Sequence, residues 1–509
     1  MGVVGSWQLG VGSWNAILPR LQDVAKKAPA QIPSPRHRVS PYGVIVPLAI
    51  GVVIAIIPVP AGLSIDAWRY FALFATVIVA LITEPIPPAI IGMVGVIVAA
   101  MLGLVRDAPA QSAQWALSGF GNATVWLIFA GYMFTLGYTQ TGLGRRIALH
   151  LVRLLGHRTL GLGYAVALAD LALAPFTASA TARSAGTVFP VVRQIPELYQ
   201  SRPHDGTARR LGAYLLYTAL ATSFVTSSMF VTALAPNTLA LSVMRQTAGV
   251  TVTWLDWFVG FAPVGVVLLL VVPWLLYKIY PPEIRTAPEA PRWAAQQLDT
   301  MGAMTRKEMT LLVLVCAALS LWIGAIEYVE PAISAMLVVL LMVMFKVVSW
   351  EEVIGHAQAW NVLVWFATMV TLASGLGETK FLEWLAQSMA PTIEGLGLSL
   401  AIVALVSVYF FLHYFFASIT AHAASMLPVF IGIAVMIPGL SPKSWALLLA
   451  YPLGLMGVLT TYTAGHNPIY YGSGYITRQA FWGLGITLGL FFLVVYLAIA
   501  VPWLRYLGV

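Results

Sequence analysis

Long apolar runs are the feature that most limits what this chain can fold into. The clearest of these runs are residues 43–58, 264–277, 311–323, 335–345 and 484–501. A helix needs about 20 predominantly apolar residues to cross the hydrocarbon core of a bilayer, and several runs approach that length. Charged residues make up only 9% of the sequence, against roughly 25% in soluble globular domains. The chain is therefore predicted to be a polytopic membrane protein.

Eleven apolar segments are predicted as transmembrane helices, at 43–58, 66–83, 86–105, 123–140, 211–232, 258–280, 308–326, 331–348, 361–376, 445–460 and 481–503. Two further apolar stretches, 160–195 and 398–436, are interrupted at their centres by Ser, Thr and Ala. Each is predicted as a re-entrant helical hairpin, because broken helices occur at membrane depth only where they line a cavity in the protein. The predicted fold is all-α, with about 11 transmembrane helices and two hairpins.

The two halves of the chain resemble each other around these hairpins. Trp126 lies 53 residues before Ser179-Ala-Thr-Ala-Arg183, and Trp365 lies 53 residues before Ser418-Ile-Thr-Ala-His422. By the count of spans, the two hairpins enter the membrane from opposite sides, which predicts inverted repeats. Such repeats are typical of alternating-access carriers, whose binding site lies at the midplane between broken helices.

Each hairpin tip carries a Ser-x-Thr sequence at the point where a half-helix is predicted to begin. The first N–H groups of a helix have no partner within it and carry the positive end of the helix dipole. Ser and Thr cap such helix ends and can also donate hydroxyl groups. Two facing tips are therefore predicted to bind an anion with a carboxylate at each end. Close packing of small residues is the alternative for a single Ser-x-Thr, and the matched pair favours the anion site.

Positive charge is distributed unevenly along the predicted topology. With the N-terminus inside, 20 of the 27 Lys and Arg residues lie on the cytoplasmic side, mostly in the leader and in loops 144–158, 193–210 and 278–307. This bias predicts a cytoplasmic N-terminus and a C-terminus outside. It also accounts for the net charge of +8, so nucleic acid is not an expected partner.

The sequence divides into four predicted parts. Residues 1–40 form a basic cytoplasmic leader, and 41–285 contain the first span and the first repeat. Residues 286–306 form a cytoplasmic linker, and 307–509 contain the second repeat. The leader has no apolar stretch before a small-residue cleavage site, so a signal peptide is not expected.

Motifs between Thr83 and Tyr475 resemble those of the divalent anion/sodium symporter family. Thr177–Gly186 is similar to the family's first signature. Phe415–His422 is similar to its second, in the subgroup of citrate/succinate, tartrate/succinate and 2-oxoglutarate/malate antiporters. The supporting matches are Thr83-Glu-Pro-Ile-Pro, Gly119-Phe-Gly-Asn-Ala-Thr-Val-Trp126, Thr141-Gly-Leu-Gly-Arg-Arg146 and Pro468-Ile-Tyr-Tyr-Gly-Ser-Gly-Tyr475.

This resemblance implies an elevator-type homodimer in a bacterial inner membrane, where a transport domain with the hairpins moves against a scaffold domain. It also implies that the two tips and two facing unwound loops bind the substrate. The candidate site residues come from the tips and these loops, and include two residues just past the tips, Arg183 and His422. The full set is Ser179, Ala180, Thr181, Arg183, Asn237, Ser418, Ile419, Thr420, His422, Thr461, Thr463, Asn467 and Pro468.

The tips also depart from the family pattern. The signature Asn, which helps to hold sodium and substrate in sodium-coupled members, is replaced by Ala180, and tip two has Ile419. A conventional sodium site is therefore not expected. Arg183 and His422 occupy equivalent repeat positions and are predicted to act as fixed cations, so that the transport domain moves only with a bound anion. Asp170 is either a functional intramembrane acid or a structural one that holds Arg183 or satisfies a neighbouring helix, and the sequence leaves both roles open.

The predicted function is sodium-independent antiport of di- or tricarboxylate anions of the succinate, malate, tartrate and citrate type. Sodium-coupled symport of a dicarboxylate or sulfonate is the alternative within the same fold. An intramembrane enzyme acting on a lipid-linked substrate is the alternative from another class. The sequence has neither a metalloprotease motif nor a Walker loop, so no enzyme activity, metal or cofactor is expected.

Overall fold

The computed structural model describes residues 41–83, 85–324, 329–394 and 397–508. The regular structure in these ranges is all helical, which confirms the predicted fold class, and an isolated β-bridge joins Arg158 to Thr286. The predicted basic leader, residues 1–40, lies outside the described residues.

The first half of the chain contains twelve α-helices in the described ranges. They are α1 (Pro41–Ile56), α2 (Ile65–Thr83), α3 (Pro88–Met101), α4 (Pro109–Leu117), α5 (Ala123–Thr141), α6 (Leu143–Leu155), α7 (Thr159–Leu173), α8 (Phe189–Val192), α9 (Gln194–Leu198), α10 (Gly212–Met229), α11 (Ala235–Ala248) and α12 (Trp254–Ile279). A 3₁₀ turn, Ala174–Phe176, follows α7, and a π-helix, Thr181–Val188, precedes α8.

The second half also contains twelve α-helices in the described ranges. They are α13 (Glu289–Met301), α14 (Arg306–Gly324), α15 (Pro331–Met344), α16 (Trp350–Gly355), α17 (Ala357–Glu378), α18 (Phe381–Glu394), α19 (Leu398–Leu412), α20 (Ile419–Ala434), α21 (Pro442–Ala450), α22 (Pro452–Leu455), α23 (Asn467–Gly472) and α24 (Arg478–Tyr506). A 3₁₀ turn, His413–Phe415, follows α19, and another, Met456–Val458, follows α22.

Eight helical segments in the described part of the chain are long and apolar enough to cross a membrane. Six coincide with predicted spans: Ile65–Thr83, Pro109–Thr141, Trp254–Ile279, Arg306–Gly324, Ala357–Glu378 and Arg478–Tyr506. The other two, Thr159–Phe176 and Leu398–Phe415, are the segments predicted as the first arms of the hairpins. The remaining predicted spans are also helical, but they are shorter or less apolar. The chain is a multi-pass membrane protein, and the number of eleven spans stays a prediction.

Helices of similar length recur in the same order in the two halves. The order from α2 to α7 is repeated from α14 to α19, and each series is followed by a break and a second helical arm. We call the broken segments hairpin one (160–195) and hairpin two (398–436). A helix interrupted near its end then follows each hairpin, as α10 and α11 in the first half and as α21 to α23 in the second.

The interrupted helices form the centre of the molecule. Every residue of α10 is buried, and so is the stretch from Ser444 to Val458. Small residues let membrane helices approach closely, and α10 is rich in Ala, Ser and Thr. Thr222 Oγ1 donates to Thr218 O and Ser227 Oγ to Ser223 O, so these hydroxyl groups are satisfied within the helix.

The outer surface of the helices is apolar. Ile486, Leu490 and Val494 form an exposed stripe at four-residue spacing on α24, and Leu337 and Leu340 are exposed on α15. Exposed apolar stripes of this kind on long apolar helices face lipid, because hydrocarbon needs no hydrogen bonds from the protein surface. Many of the buried polar side chains of the described residues lie instead around the breaks in the central helices, among them Ser179, Arg183, Asn237, Thr463 and Asn467.

Candidate functional site

The tips of the two hairpins face a common cavity of about 220 Å³. Tip residues 178–181 and 417–420 line it from two sides. Leu234 with the first two residues of α11 and the unwound stretch 464–466 contribute two further walls, and Tyr132 on α5 also lines the cavity. The cavity therefore lies where the sequence predicts the binding site, between the two breaks of the repeat.

A serine caps the second arm of each hairpin in the same way. Ser179 Oγ accepts a hydrogen bond from the backbone N–H of Ala182 at 3.2 Å. Ser418 Oγ accepts one from the N–H of Ala421 at 3.3 Å, again three residues later. Both caps confirm the prediction that a half-helix begins at each Ser-x-Thr. The positive ends of two half-helices are thus presented to one small cavity, a geometry that suits an anion.

Six of the predicted site residues line this cavity: Ser179, Ala180, Thr181, Ser418, Ile419 and Thr420. The other seven do not lie on its wall: Arg183, Asn237, His422, Thr461, Thr463, Asn467 and Pro468. Direct contact of these seven with a molecule in the cavity is therefore not supported. Five of them, all except Thr461 and Pro468, are buried behind the wall.

Arg183 is fully buried behind tip one, where it bonds to several chain segments. Its Nε donates to the carboxylate of Asp170 at 3.1 Å. Its Nη1 donates to the backbone carbonyls of Thr177 at 3.2 Å and Ala233 at 2.8 Å. Its Nη2 donates to Ser227 Oγ at 2.8 Å. The guanidinium therefore joins the hairpin tip, α10 and the loop between α10 and α11.

Of the two roles left open for Asp170, pairing with Arg183 is the one found in the structure. The same carboxylate also accepts a hydrogen bond from Thr226 Oγ1. The ion pair compensates the guanidinium charge within the protein, where an unpaired charge is costly. The prediction that Arg183 is a fixed cation that only a bound anion can compensate is therefore wrong, because Asp170 already compensates it.

Hairpin two has a pair of histidines at the corresponding place. His422 Nδ1 lies 3.2 Å from His413 Nδ1, and His413 Nε2 lies 3.1 Å from the carbonyl oxygen of Thr463. Because a carbonyl oxygen only accepts hydrogen bonds, His413 Nε2 carries a proton and donates a hydrogen bond to the carbonyl of Thr463. With neutral rings, His413 Nδ1 then accepts from His422. His422 is therefore held within the protein rather than presented to the cavity.

Asn237 and Asn467 hold the two unwound loops in the same way. Asn237 Nδ2 donates to the carbonyls of Ser227 and Phe230, ten and seven residues earlier. Asn467 Nδ2 donates to the carbonyls of Gly457 and Thr460, again ten and seven residues earlier. Both side chains are fully buried. The two asparagines that the sequence assigned to substrate binding instead donate to backbone carbonyls beside the helix breaks.

The residues that precede Asn237 and Asn467 in the sequence, in contrast, lie on the cavity wall. Pro236 precedes Asn237 and lines the cavity, and His466 precedes Asn467 and lines it as well. His466 Nε2 lies 3.0 Å from Ser223 Oγ on α10. The sequence predicts that the loop from Thr461 to Asn467 lines the site, but no feature of the sequence indicates that His466, rather than Asn467, lies on the cavity wall.

The fold and the cavity between two broken helices are typical of a membrane transporter. The chain matches the family described as the sodium:sulfate symporter transmembrane region over residues 39–509. It belongs to this family, which confirms the resemblance to the divalent anion/sodium symporters.

Curated relatives of known function cover almost the whole chain. An L-tartrate/succinate antiporter from Shigella sonnei (strain Ss046) is 43% identical over 470 residues, which cover 90% of this chain and 96% of that protein. The L-tartrate/succinate antiporter of Escherichia coli (strain K12) is 42% identical with the same coverage.

A solved structure has the same kind of fold. Neisseria gonorrhoeae MtrF, described as illuminating a class of antimetabolite efflux pumps, has a TM-score of 0.55 and 15% sequence identity to this chain. The match covers 82% of this chain and 95% of that chain. At this identity, the likeness shows the fold alone.

Proposed function

We propose that the protein is a secondary active antiporter that exchanges di- or tricarboxylate anions across a bacterial inner membrane without sodium. The observation that carries this proposal is the cavity between two serine-capped helix ends, in a chain 43% identical to an L-tartrate/succinate antiporter. Each helix end offers N–H and hydroxyl donors to one carboxylate. A small dicarboxylate, with an anionic group at each end, suits such a cavity.

The proposed transport movement is of the elevator type, in a molecule built from two inverted repeats. The recurrence of helix order supports the repeats, and the capping of both tips at the same offset supports their equivalence. The hairpins would move with α10, because Arg183 bonds hairpin one to that helix. The N-terminus would lie in the cytoplasm and the C-terminus outside, as the distribution of positive charge indicates.

Exchange in proteoliposomes tests the function. Labelled succinate should enter vesicles preloaded with malate or succinate in sodium-free buffer, and it should not enter empty vesicles. Uptake into empty vesicles driven by a sodium gradient would instead support the alternative, a sodium-coupled symporter. Consumption of succinate to a new product would support an enzyme.

Alanine substitution of the tip threonines should weaken substrate binding. Thr181 and Thr420 line the cavity, and a hydrogen bond to a charged ligand contributes about 1.5–3 kcal/mol. Each of Thr181→Ala and Thr420→Ala should therefore raise the apparent KM for succinate by roughly 10- to 100-fold in exchange assays. Thr487→Ala, on the exposed surface of α24, is the matched control and should leave KM unchanged. Wild-type affinity in both tip variants would contradict the site.

We also propose that the protein is a homodimer, on the basis of its family. The chain has a mass of 54.9 kDa, so the purified protein in detergent should have about twice this protein mass once bound detergent is subtracted. Light scattering combined with absorbance and refractive index gives that mass. A value of one chain would contradict the dimer.

A further inference from the structure

The second arm of hairpin one begins as a π-helix rather than as an α-helix. This π-helix runs from Thr181, on the cavity wall, to Val188. The carbonyl of Ser184 accepts a hydrogen bond from the N–H of Phe189, five residues later, where an α-helix would use Val188. Wide turns of this kind are rare and occur frequently at functional sites. Tip one is therefore attached to an arm whose winding needs support from the surrounding structure.

Tyr470 of α23 reaches the middle of this π-helix with its hydroxyl group. Tyr470 Oη lies 2.8 Å from Ser184 Oγ and donates to the Ser184 carbonyl at 3.3 Å. Both contacts are made together when Ser184 Oγ donates to Tyr470 Oη. The Tyr470 ring is fully buried and packs edge-on against Phe189, with 4.9 Å between the ring centroids. The hydroxyl group thus gives the Ser184 carbonyl a second donor within the wide turn.

Hairpin two, which the structure describes completely, lacks both the contact and the wide turn. At the same distance past the tip serine, Ser184 corresponds to Ala423. At the same distance past the asparagine of the unwound loop, Tyr470 corresponds to Ala240. Neither alanine has a hydroxyl group, and the second arm of hairpin two is an ordinary α-helix, α20. The π-helix therefore occurs in the repeat that has the serine–tyrosine contact.

We propose that Tyr470 is a positioning residue for tip one. Its hydroxyl group holds the second arm in the π-helical form in which Thr181 lines the cavity. Without this hydroxyl, the Ser184 carbonyl is left to the backbone, and the arm can adopt the tighter hydrogen-bond pattern of an α-helix. Tighter winding turns the tip about the axis of the arm, so that Thr181 leaves the wall. This inference rests on the proposed function, because the contact that is lost is one with the dicarboxylate.

Tyr470→Phe tests the proposal, because it removes the hydroxyl group and keeps the packing of the ring. KM for succinate and the maximal rate of exchange are measured in proteoliposomes, and thermal unfolding is measured in detergent. Tyr217→Phe is the matched control. Tyr217 on α10 is also fully buried, and its hydroxyl group has no hydrogen-bond partner among the described residues. The control should keep the wild-type KM and exchange rate.

The expected result is a change in KM that depends on Thr181. Tyr470→Phe should raise KM about tenfold, with a maximal rate within about twofold of wild type, because one hydrogen bond to a charged ligand is lost. In the Thr181→Ala background it should change KM by less than about twofold, since the hydroxyl that it positions is already absent. If Tyr470→Phe does not fold, Ser184→Ala replaces it and should raise KM about threefold, with the same dependence on Thr181.

Two results would overturn the inference. One is a lower melting temperature of Tyr470→Phe with an unchanged KM, which would indicate a structural role alone. The other is a set of KM increases for Tyr470→Phe and Thr181→Ala that multiply in the double variant. Absence of dicarboxylate exchange by the wild-type protein would instead overturn the proposed function.

Discussion

Replacing Arg183 with glutamine should abolish exchange and lower the yield of folded protein. The substitution leaves the Asp170 carboxylate buried without its cation, which costs about 3–5 kcal/mol for a buried pair. It also removes the donors to Thr177 and Ala233, which connect tip one to the loop after α10. Thermal unfolding in detergent and exchange in proteoliposomes measure the two effects separately.

The double variant Arg183→Gln/Asp170→Asn distinguishes these two contributions. It removes both charges together, so most of the folded yield should return. Exchange should stay well below the wild-type rate, because the connection between the tip and α10 is still missing. Full recovery of exchange would mean that Arg183 serves only as the counter-ion of Asp170. Unimpaired exchange in Arg183→Gln alone would show that neither role matters.

A second buried ion pair provides a matched control. Arg146 Nε donates to Glu308 at 2.8 Å, and both side chains are almost fully buried, yet neither lines the cavity. Arg146→Gln should lower thermal stability through the same electrostatic cost. The Arg146→Gln protein that still folds should exchange substrate as the wild type does, whereas folded Arg183→Gln should not.

Asn237→Leu should destabilise the protein more than Asn467→Leu. In the first unwound loop, Asn237 Nδ2 donates to the Ser227 and Phe230 carbonyls, and the N–H of Ala233 also donates to Phe230, so the Ser227 carbonyl is the one that depends on Asn237. In the second, the single hydroxyl proton of Thr463 lies within reach of both carbonyls that Asn467 binds, Gly457 O at 2.9 Å and Thr460 O at 3.2 Å, and can be donated to either. An unsatisfied buried carbonyl costs about 1–3 kcal/mol. Asn237→Leu should therefore lose about that amount, and Asn467→Leu should lose less, as measured by thermal unfolding together with exchange.

Two further variants sharpen this comparison. Thr463→Val combined with Asn467→Leu removes the side-chain donors to both carbonyls of the second loop and should be more destabilising than Asn237→Leu. Asn361→Leu, on the exposed surface of α17, should leave stability unchanged. If Asn467→Leu proved the more destabilising single variant, the two loops would not be held as these contacts indicate.

The two hairpins are equivalent in backbone but differ in the chemistry behind their tips. Arg183 and His422 occupy matching positions, but the first pairs with Asp170 and the second with another histidine, His413. The residue matching Asp170 in hairpin two is Tyr409, whose ring packs edge-on against His422 at 4.5 Å. We propose that Arg183 is a permanent connection between tip one and α10. A connection of this kind needs no mobile cation, in agreement with sodium-independent exchange.

The sequence by itself determined the class of fold and the centre of the site. Apolar runs predict helices at membrane depth, because every backbone polar group there must be satisfied within the protein. The matched Ser-x-Thr pairs predicted both capped breaks and six residues of the cavity wall, since a capping serine must lie where a helix begins.

Only the tertiary structure decided which neighbours of the tips face the cavity. Consecutive helical residues are turned by about 100°, so residues two apart point to nearly opposite sides. Thr181 and Thr420 line the cavity, whereas Arg183 and His422 point away into the protein. That periodicity indicates that the two pairs of side chains point in different directions. The partners of Arg183, which are Asp170 and the loop after α10, are given only by the packing of the hairpin in the tertiary structure. In the unwound loops no periodicity exists, so only the folded backbone places His466 on the wall and Asn467 behind it.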